Sequence, residues 1–131
     1  MESRHGAPSV SIIVPTLNEV QNVEPLTRQI MASGIDPLEI IFVDDGSTDG
    51  TGEKIGALAG EFPVRLVVRE NPSLGLSGAV VAGARAAAGD LLVVMDADLS
   101  HPPSRIPDLP NVASPSSRVG QGVKFINPAD P

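Results

Sequence analysis

LLVVMDADLSHPP, residues 91 to 103, runs five apolar side chains straight into two carboxylates one residue apart. An aliphatic run this short, from Leu91 to Met95, set between Gly89-Asp90 and Pro102-Pro103, predicts a strand buried on both faces. Asp96 and Asp98 then fall at its C-terminal end, where open α/β sheets hold their ligands. Like charges held that close are stable together only when a cation or hydrogen-bond donors neutralise them. Hard oxygen ligands of this kind suit Mg²⁺ or Mn²⁺, which shares its shell with substrate phosphates. By itself, Asp-x-Asp fits a solvated acidic loop better, because the tripeptide is common. The text on either side separates the two readings.

Working back from Leu91, the chain alternates strand and helix. Val10 to Val14 is an aliphatic run stopped by Pro15 and predicts the first strand. Asn22 can cap a helix from about Val23 to Ser33, with Gly34 as its stop. Val23, Leu26, Ile30 and Met31 fall near one face of it and are expected in the core. Ile40 to Val43 predicts a second strand, leading into Asp44-Asp45-Gly46-Ser47-Thr48-Asp49-Gly50-Thr51. Glu53 to Gly60 is a weaker helix, interrupted by Gly56. Val64 to Val68 predicts the third strand, followed by Asn71-Pro72 and a small-residue helix from about Leu76 to Ala88. Leu76, Val80, Ala84 and Ala87 make one stripe of that helix, and its Ala and Gly content lets it approach a sheet closely. The order implies a mostly parallel sheet covered by helices, with right-handed crossovers.

Composition limits the function. The 131 residues suffice for one domain with a single core, and at 41% hydrophobic residues with three Phe and no Trp or Tyr that core is aliphatic. A net charge of −7 removes the electrostatic footprint of a nucleic-acid binder and argues against holding an anionic membrane by charge alone. Without cysteine there is no disulfide, thiolate or zinc–cysteine chemistry. No apolar run reaches the roughly 18 residues of a membrane span, and residues 1–8, a tail, lack the apolar stretch of a secretory signal. The expected location is cytoplasmic. Residues 110–131 carry Pro, Ser, Asn and Gly with little periodicity; Val123, Phe125 and Ile126 are the apolar cluster there, and the stretch reads as an irregular tail.

Three strand ends deliver polar groups to one edge of the sheet: Pro15-Thr16-Leu17-Asn18-Glu19, Asp44-Asp45-Gly46-Ser47 and Asp96-Ala97-Asp98. Each has a structural alternative. Glu19 fits a first-turn helix acid, and Asp44, Asp45 and Asp49 fit turn and cap positions around Gly46, which for Asp49 is the better reading. Asn71-Pro72 reads as a turn, and His101 as a loop or packing residue. Their coincidence on one edge favours a ligand site.

In order and spacing, SIIVPTLNE, IIFVDDGSTDGT, NPSLGLSGAVVAGARAAAGD and LLVVMDADLSHPPSRIPDL together resemble the nucleotide-sugar-binding half of family 2 glycosyltransferases. The resemblance is closest to dolichyl-phosphate mannose synthases and related polyprenyl-phosphate glycosyltransferases. It covers residues 9–109, with Ser77 where that branch usually has Gly. It implies a truncated GT-A fold, an α/β Rossmann-like and mostly parallel sheet, and inverting transfer of a sugar from a nucleotide diphosphate. By that likeness Pro15, Thr16 and Glu19 line the nucleoside pocket, and Asp44 or Asp45 reads base or ribose. Gly75 lets the chain pass close to the donor. Asp96 faces donor sugar or metal, Asp98 is the main ligand of Mg²⁺ or Mn²⁺, and Ser100 adds a polar contact near it. The implied partners are GDP-mannose or a UDP-sugar and a polyprenyl phosphate at a membrane surface, with the protein peripheral to it. The acceptor phosphate would itself be the nucleophile, so no strong protein base is needed.

Members of that family continue well beyond this length, with a further strand carrying a Gly-Ser-Arg segment. Ser117-Arg118 has no strand text before it. The chain therefore reads as the donor-binding part of a longer transferase, and a nucleotide-sugar-binding fragment without turnover is the alternative. A dinucleotide-binding dehydrogenase is excluded, since no G-x-G-x-x-G turn follows the first strand. A sugar-nucleotide pyrophosphorylase would want a Gly-rich, basic first loop, and this one is acidic. An exposed sheet edge would suit pairing with a second copy as a homodimer.

Overall fold

The computed structural model of the chain describes residues 9–70, 74–97, 119–120 and 123–126. Strands β1 (Val10–Thr16), β2 (Glu39–Asp44), β3 (Val64–Val68) and β4 (Leu91–Met95) alternate with helices α1 (Val20–Ala32), α2 (Thr51–Leu58) and α3 (Gly75–Ala86). The four strands are parallel, in the spatial order β3-β2-β1-β4. Winding proceeds outward from β1 to β3 and then jumps back to lay β4 on the other side of β1. The carboxyl ends of β1 and β4 thus flank the point where the winding reverses, and a crevice opens there in sheets of this kind.

Alternation along the strands feeds two cores. Ile12, Val14, Ile40 and Phe42 pack with Val23, Leu26 and Ile30 of α1 and Ile55 and Leu58 of α2 on one face. Ile13, Ile41, Val43, Leu92 and Val94 pack under α3 on the other. The expected strip on α1 is therefore in place, with Met31 at its margin. On α3, Val80, Ala84 and Ala87 of the expected stripe pack against the second core beside the buried Gly78, Ala79 and Gly83, whereas Leu76 is 64% exposed. The reason is proximity. A Cβ at Gly83 would lie 2.5 Å from Ile13 Cγ2, so the helix rests on its smallest residues, with Val80 packed at the margin.

Two boundaries also differ. Pro15 does not stop β1. Val10 and Thr16 accept hydrogen bonds from Leu38 and Asp45 on the β2 side, so position 15 faces β4, whose ladder with β1 ends at Ile13–Val94. The donor missing from proline therefore costs β1 no bond in its ladder with β2. Helix α1 begins at Val20, before the expected Asn22 cap, and takes Pro25 into its interior. Its first amides are satisfied from another loop, as described below. Within the stretch read as an irregular tail, β5 (Val119–Gly120) and β6 (Val123–Ile126) are strands; β6 runs antiparallel to β4, from Leu92–Ile126 to Met95–Val123. Asn71-Pro72, His101 and Ser117-Arg118 lie outside the described residues.

The opposite edge of the sheet is tied by Glu39. Its buried carboxylate accepts from Ser11 Oγ (2.7 Å), the Ala88 amide (2.6 Å) and Arg65 (2.6 Å), while Gly89 N donates to Ser11 Oγ (2.8 Å). Burial pushes this carboxyl up, but the Ala88 amide, Arg65 and Ser11 together outweigh it and hold it below the usual carboxylate range. A Cβ at Gly89 would meet Ser11 Oγ at 2.6 Å, so only glycine fits that turn.

Candidate functional site at the carboxyl edge

Because the strands are parallel, Thr16, Asp44, Arg69 and Asp96 all lie at or just past the same edge. The register sets Thr16 beside Asp44 and Asp44 beside Val68. Much of the polar text here serves to fasten one loop to another. Asn18 N donates to Ser47 Oγ (2.8 Å), Thr48 N to Asn18 Oδ1 (2.9 Å), Glu19 N to Thr51 Oγ1 (3.0 Å) and Val20 N to Asp49 Oδ2 (3.2 Å). These bonds hold Asn18 at a left-handed φ of 55° and cap α1 from outside. Asp49 also accepts from the Thr51 hydroxyl and amide, and the Thr51 hydroxyl above all holds its carboxyl below the ordinary range. The cap reading of Asp49 agrees with this.

The two adjacent aspartates are placed differently. Asp44 is 5% exposed, and its oxygens accept from Thr16 Oγ1 (3.2 Å), Ser47 Oγ, Gly46 N (3.2 Å) and Ser47 N (3.0 Å). It braces the turn at Gly46, whose φ of 110° requires glycine. Asp45 instead faces Arg69 in a two-pronged pair, Nε to Oδ1 at 2.7 Å and one terminal nitrogen to Oδ2 at 2.8 Å. That nitrogen also donates to the Gly75 carbonyl at 2.8 Å. Asp45 raises the Arg69 pKa above its ordinary value.

Gly75 opens α3 at φ 51°, directly after Leu74 at φ 65°. Among the described residues, a Cβ at Gly75 would meet nothing within 4 Å, so they leave space beside the backbone there. Glu19 is half-buried, accepts from Asn22 Nδ2 (2.9 Å), and lines an open cleft of about 390 Å³ with Asn18, Val20, Gln21, Asn22 and Asp49. Asp45 and Asp96 do not line that cleft. Asp96 is half-buried at the end of β4, while Ala97 turns back into the core under α1 and α2. Asp98 and Ser100 lie outside the described residues. Among the described residues no group of three or more acidic or His side chains is arranged to hold a metal. Arg69 went unnoticed in the sequence. The signal was a cation in the first position after a strand ending on an otherwise acidic edge.

Parallel strands with carboxylates, a guanidinium and a glycine turn gathered at their carboxyl edge define an α/β protein whose candidate ligand site lies on that edge. The comparisons then narrow the class. The model for "Glycosyl transferase family 2" matches residues 11–123, and the chain belongs to that family. It is 43% identical over 119 residues to a dolichol-phosphate mannosyltransferase of Pyrococcus furiosus, covering 89% of this chain and 33% of that protein. To the Saccharomyces cerevisiae dolichol-phosphate mannosyltransferase it is 48% identical over 105 residues, covering 76% and 39%. Among solved structures, a Pyrobaculum calidifontis mannosyltransferase in complex with GDP-Man and Mn²⁺ superposes with a TM-score of 0.70 at 29% identity, covering 83% of this chain and 33% of that one. Glucosyl-3-phosphoglycerate synthase of Mycobacterium tuberculosis, with Mn²⁺, UDP and glucosyl-3-phosphoglycerate, superposes at 0.67 with 28% identity, covering 85% and 42%. The fold is GT-A. The chain spans about a third to two-fifths of the length of these relatives.

Proposed function

We propose that this chain forms the donor-binding part of a transferase that moves a sugar, with mannose from GDP-mannose the leading donor, onto a polyprenyl phosphate. The observation that carries the reading is the presence of Thr16, Asp45, Arg69, Gly75 and Asp96 on one edge of the sheet, with Arg69 joining Asp45 to Gly75. The matched dolichol-phosphate mannosyltransferases and the neighbour holding GDP-Man and Mn²⁺ support it. Of the two aspartates after β2, Asp45 is the better reader of base or ribose: each Asp44 oxygen already accepts two hydrogen bonds from the protein, whereas Arg69 places one on each Asp45 oxygen and leaves acceptor capacity on both. Pro15 and Thr16 form the floor of the nucleoside pocket with Glu19 at its side, and the open space at Gly75 admits the donor.

Carboxylate and hydroxyl oxygens fit a hard divalent cation, so Asp96, Asp98 and Ser100 would hold Mg²⁺ or Mn²⁺. When bound, the ion neutralises charge developing on the departing nucleotide diphosphate. The acceptor phosphate oxygen attacks the anomeric carbon from the face opposite the leaving group, so the configuration inverts. No protein base is needed, because the nucleophile is already anionic. No helix of the described residues is long and apolar enough to cross a membrane, and the lipid phosphate would be met at the membrane surface.

Calorimetric titration with GDP, UDP, GDP-mannose and UDP-glucose, with Mn²⁺ and then with EDTA, tests the donor site. Metal-dependent binding of one nucleotide is expected, and Asp98→Ala abolishes it; unchanged binding by that variant would sink the metal assignment. Transfer of labelled mannose to a dolichyl phosphate in detergent then separates a turning-over transferase from a module that only binds.

A further inference from the structure

We infer that Arg69 is a positioning residue of the donor site, holding Asp45 and the α3 entrance in one rigid frame. This rests on the donor-site reading above. The guanidinium is the meeting point of three pieces of chain: the end of β3, which carries it, the loop after β2 through both oxygens of Asp45, and the first residue of α3 through the Gly75 carbonyl. Two parallel N–H···O bonds define an orientation as well as a distance. Both partners are enclosed, with side chains 12% (Arg69) and 18% (Asp45) exposed, so water competes weakly for the pair.

The turn into α3 needs such a hold. Leu74 and Gly75 are consecutive left-handed residues, and Leu74 is 78% exposed, so its own packing does little to enforce the conformation. A sparsely populated backbone persists where surrounding contacts over-determine it, and the Arg69 bond to the Gly75 carbonyl is such a contact. Leu74 also marks the start of α3, with no side-chain cap. The same guanidinium that orients Asp45 thus sets where the open space at Gly75 lies. A lysine cannot substitute: it is a point charge that cannot grip both carboxylate oxygens in plane and reach a carbonyl as well.

The test compares the full chain with Arg69→Lys, Asp45→Asn and the double variant, measuring nucleotide affinity with Mn²⁺ and melting temperature. The Arg69→Lys chain should keep its melting temperature within a few degrees yet bind the nucleotide at least about tenfold more weakly, as misplacement of a binding group does. The double variant should lose little more than Asp45→Asn alone, since Arg69 acts through Asp45. Unchanged affinity in Arg69→Lys, with the wild-type chain binding, would overturn the positioning role and leave the donor site standing. Additive losses, or a loss that follows the melting temperature, would likewise reduce Arg69 to a structural pair. If the wild-type chain binds no nucleotide, the donor-site reading fails and this inference falls with it.

Discussion

Asp44 and Asp45 are neighbours with the same side chain and opposite employment. Strand alternation sends them to different sides of the β2 end: one meets the Thr16 hydroxyl and the Gly46–Ser47 amides, the other meets Arg69. Removing Asp44 leaves a buried hydroxyl and two amides without their charged acceptor. Asp44→Ala should therefore cost about 2–3 kcal/mol of stability, read as a lower urea midpoint with an unchanged slope. An unchanged midpoint would mean that water replaces the carboxylate at no cost. The pair was legible as two acids at the carboxyl edge. Which of them braces the turn and which pairs with a cation was not, because the second depends on Arg69, 24 residues away in the chain.

At the scale of elements, the helices are set by the loops and faces they meet. Thr51 is fully buried at the start of α2, and its hydroxyl accepts from Glu19 N at the start of α1. Thr51→Val should cost about 1–2 kcal/mol, the worth of a helix cap, and speed amide exchange in α1 at Val20–Asn22 while sparing Ile30. Uniform exchange along α1 would refute a local cap. On the other face, Gly83→Val drives methyls into Ile13 and Val43. It should cost at least about 1–3 kcal/mol as overpacking, although valine is the better helix former. Alanine at Gly75 would meet no neighbour among the described residues, and its left-handed φ opposes the change. Element order and type were legible from short aliphatic runs between turn residues. The start of α1, the exposure of Leu76 and the strand at Val123–Ile126 were not, because they depend on distant loops, on how closely α3 approaches the sheet and on β4.

For the whole molecule, acid tolerance should depend on the edge remote from the site. Glu39 has a folded pKa below its unfolded one. Its contribution is present in full above the ordinary carboxylate range and is lost as pH falls through that range and the depressed folded value. Glu39→Gln should lower stability at pH 7 by about 1.5–3 kcal/mol and flatten the decline between pH 7 and acid. A parallel decline in both proteins, followed by denaturant titration at several pH values, would show that other carboxylates govern it. Glu39 and the winding-reversal edge are separate ends of one sheet, so this loss of stability should leave nucleotide affinity of the folded fraction unchanged.

What the amino-acid order alone determined was the alternation of strands and helices, the parallel sheet, the edge that carries Asp44, Asp45 and Asp96, and the family likeness. These follow from local periodicity and from parallel strands sending all their ends one way. Only the tertiary structure decided that Asp49, Ser47 and Thr51 fasten loops together, that Asp44 braces a turn, and that Arg69 joins Asp45 to Gly75. A hydrogen bond selects its partner by distance in space, and residues 24 to 32 apart in sequence meet only when the sheet has brought their strands side by side.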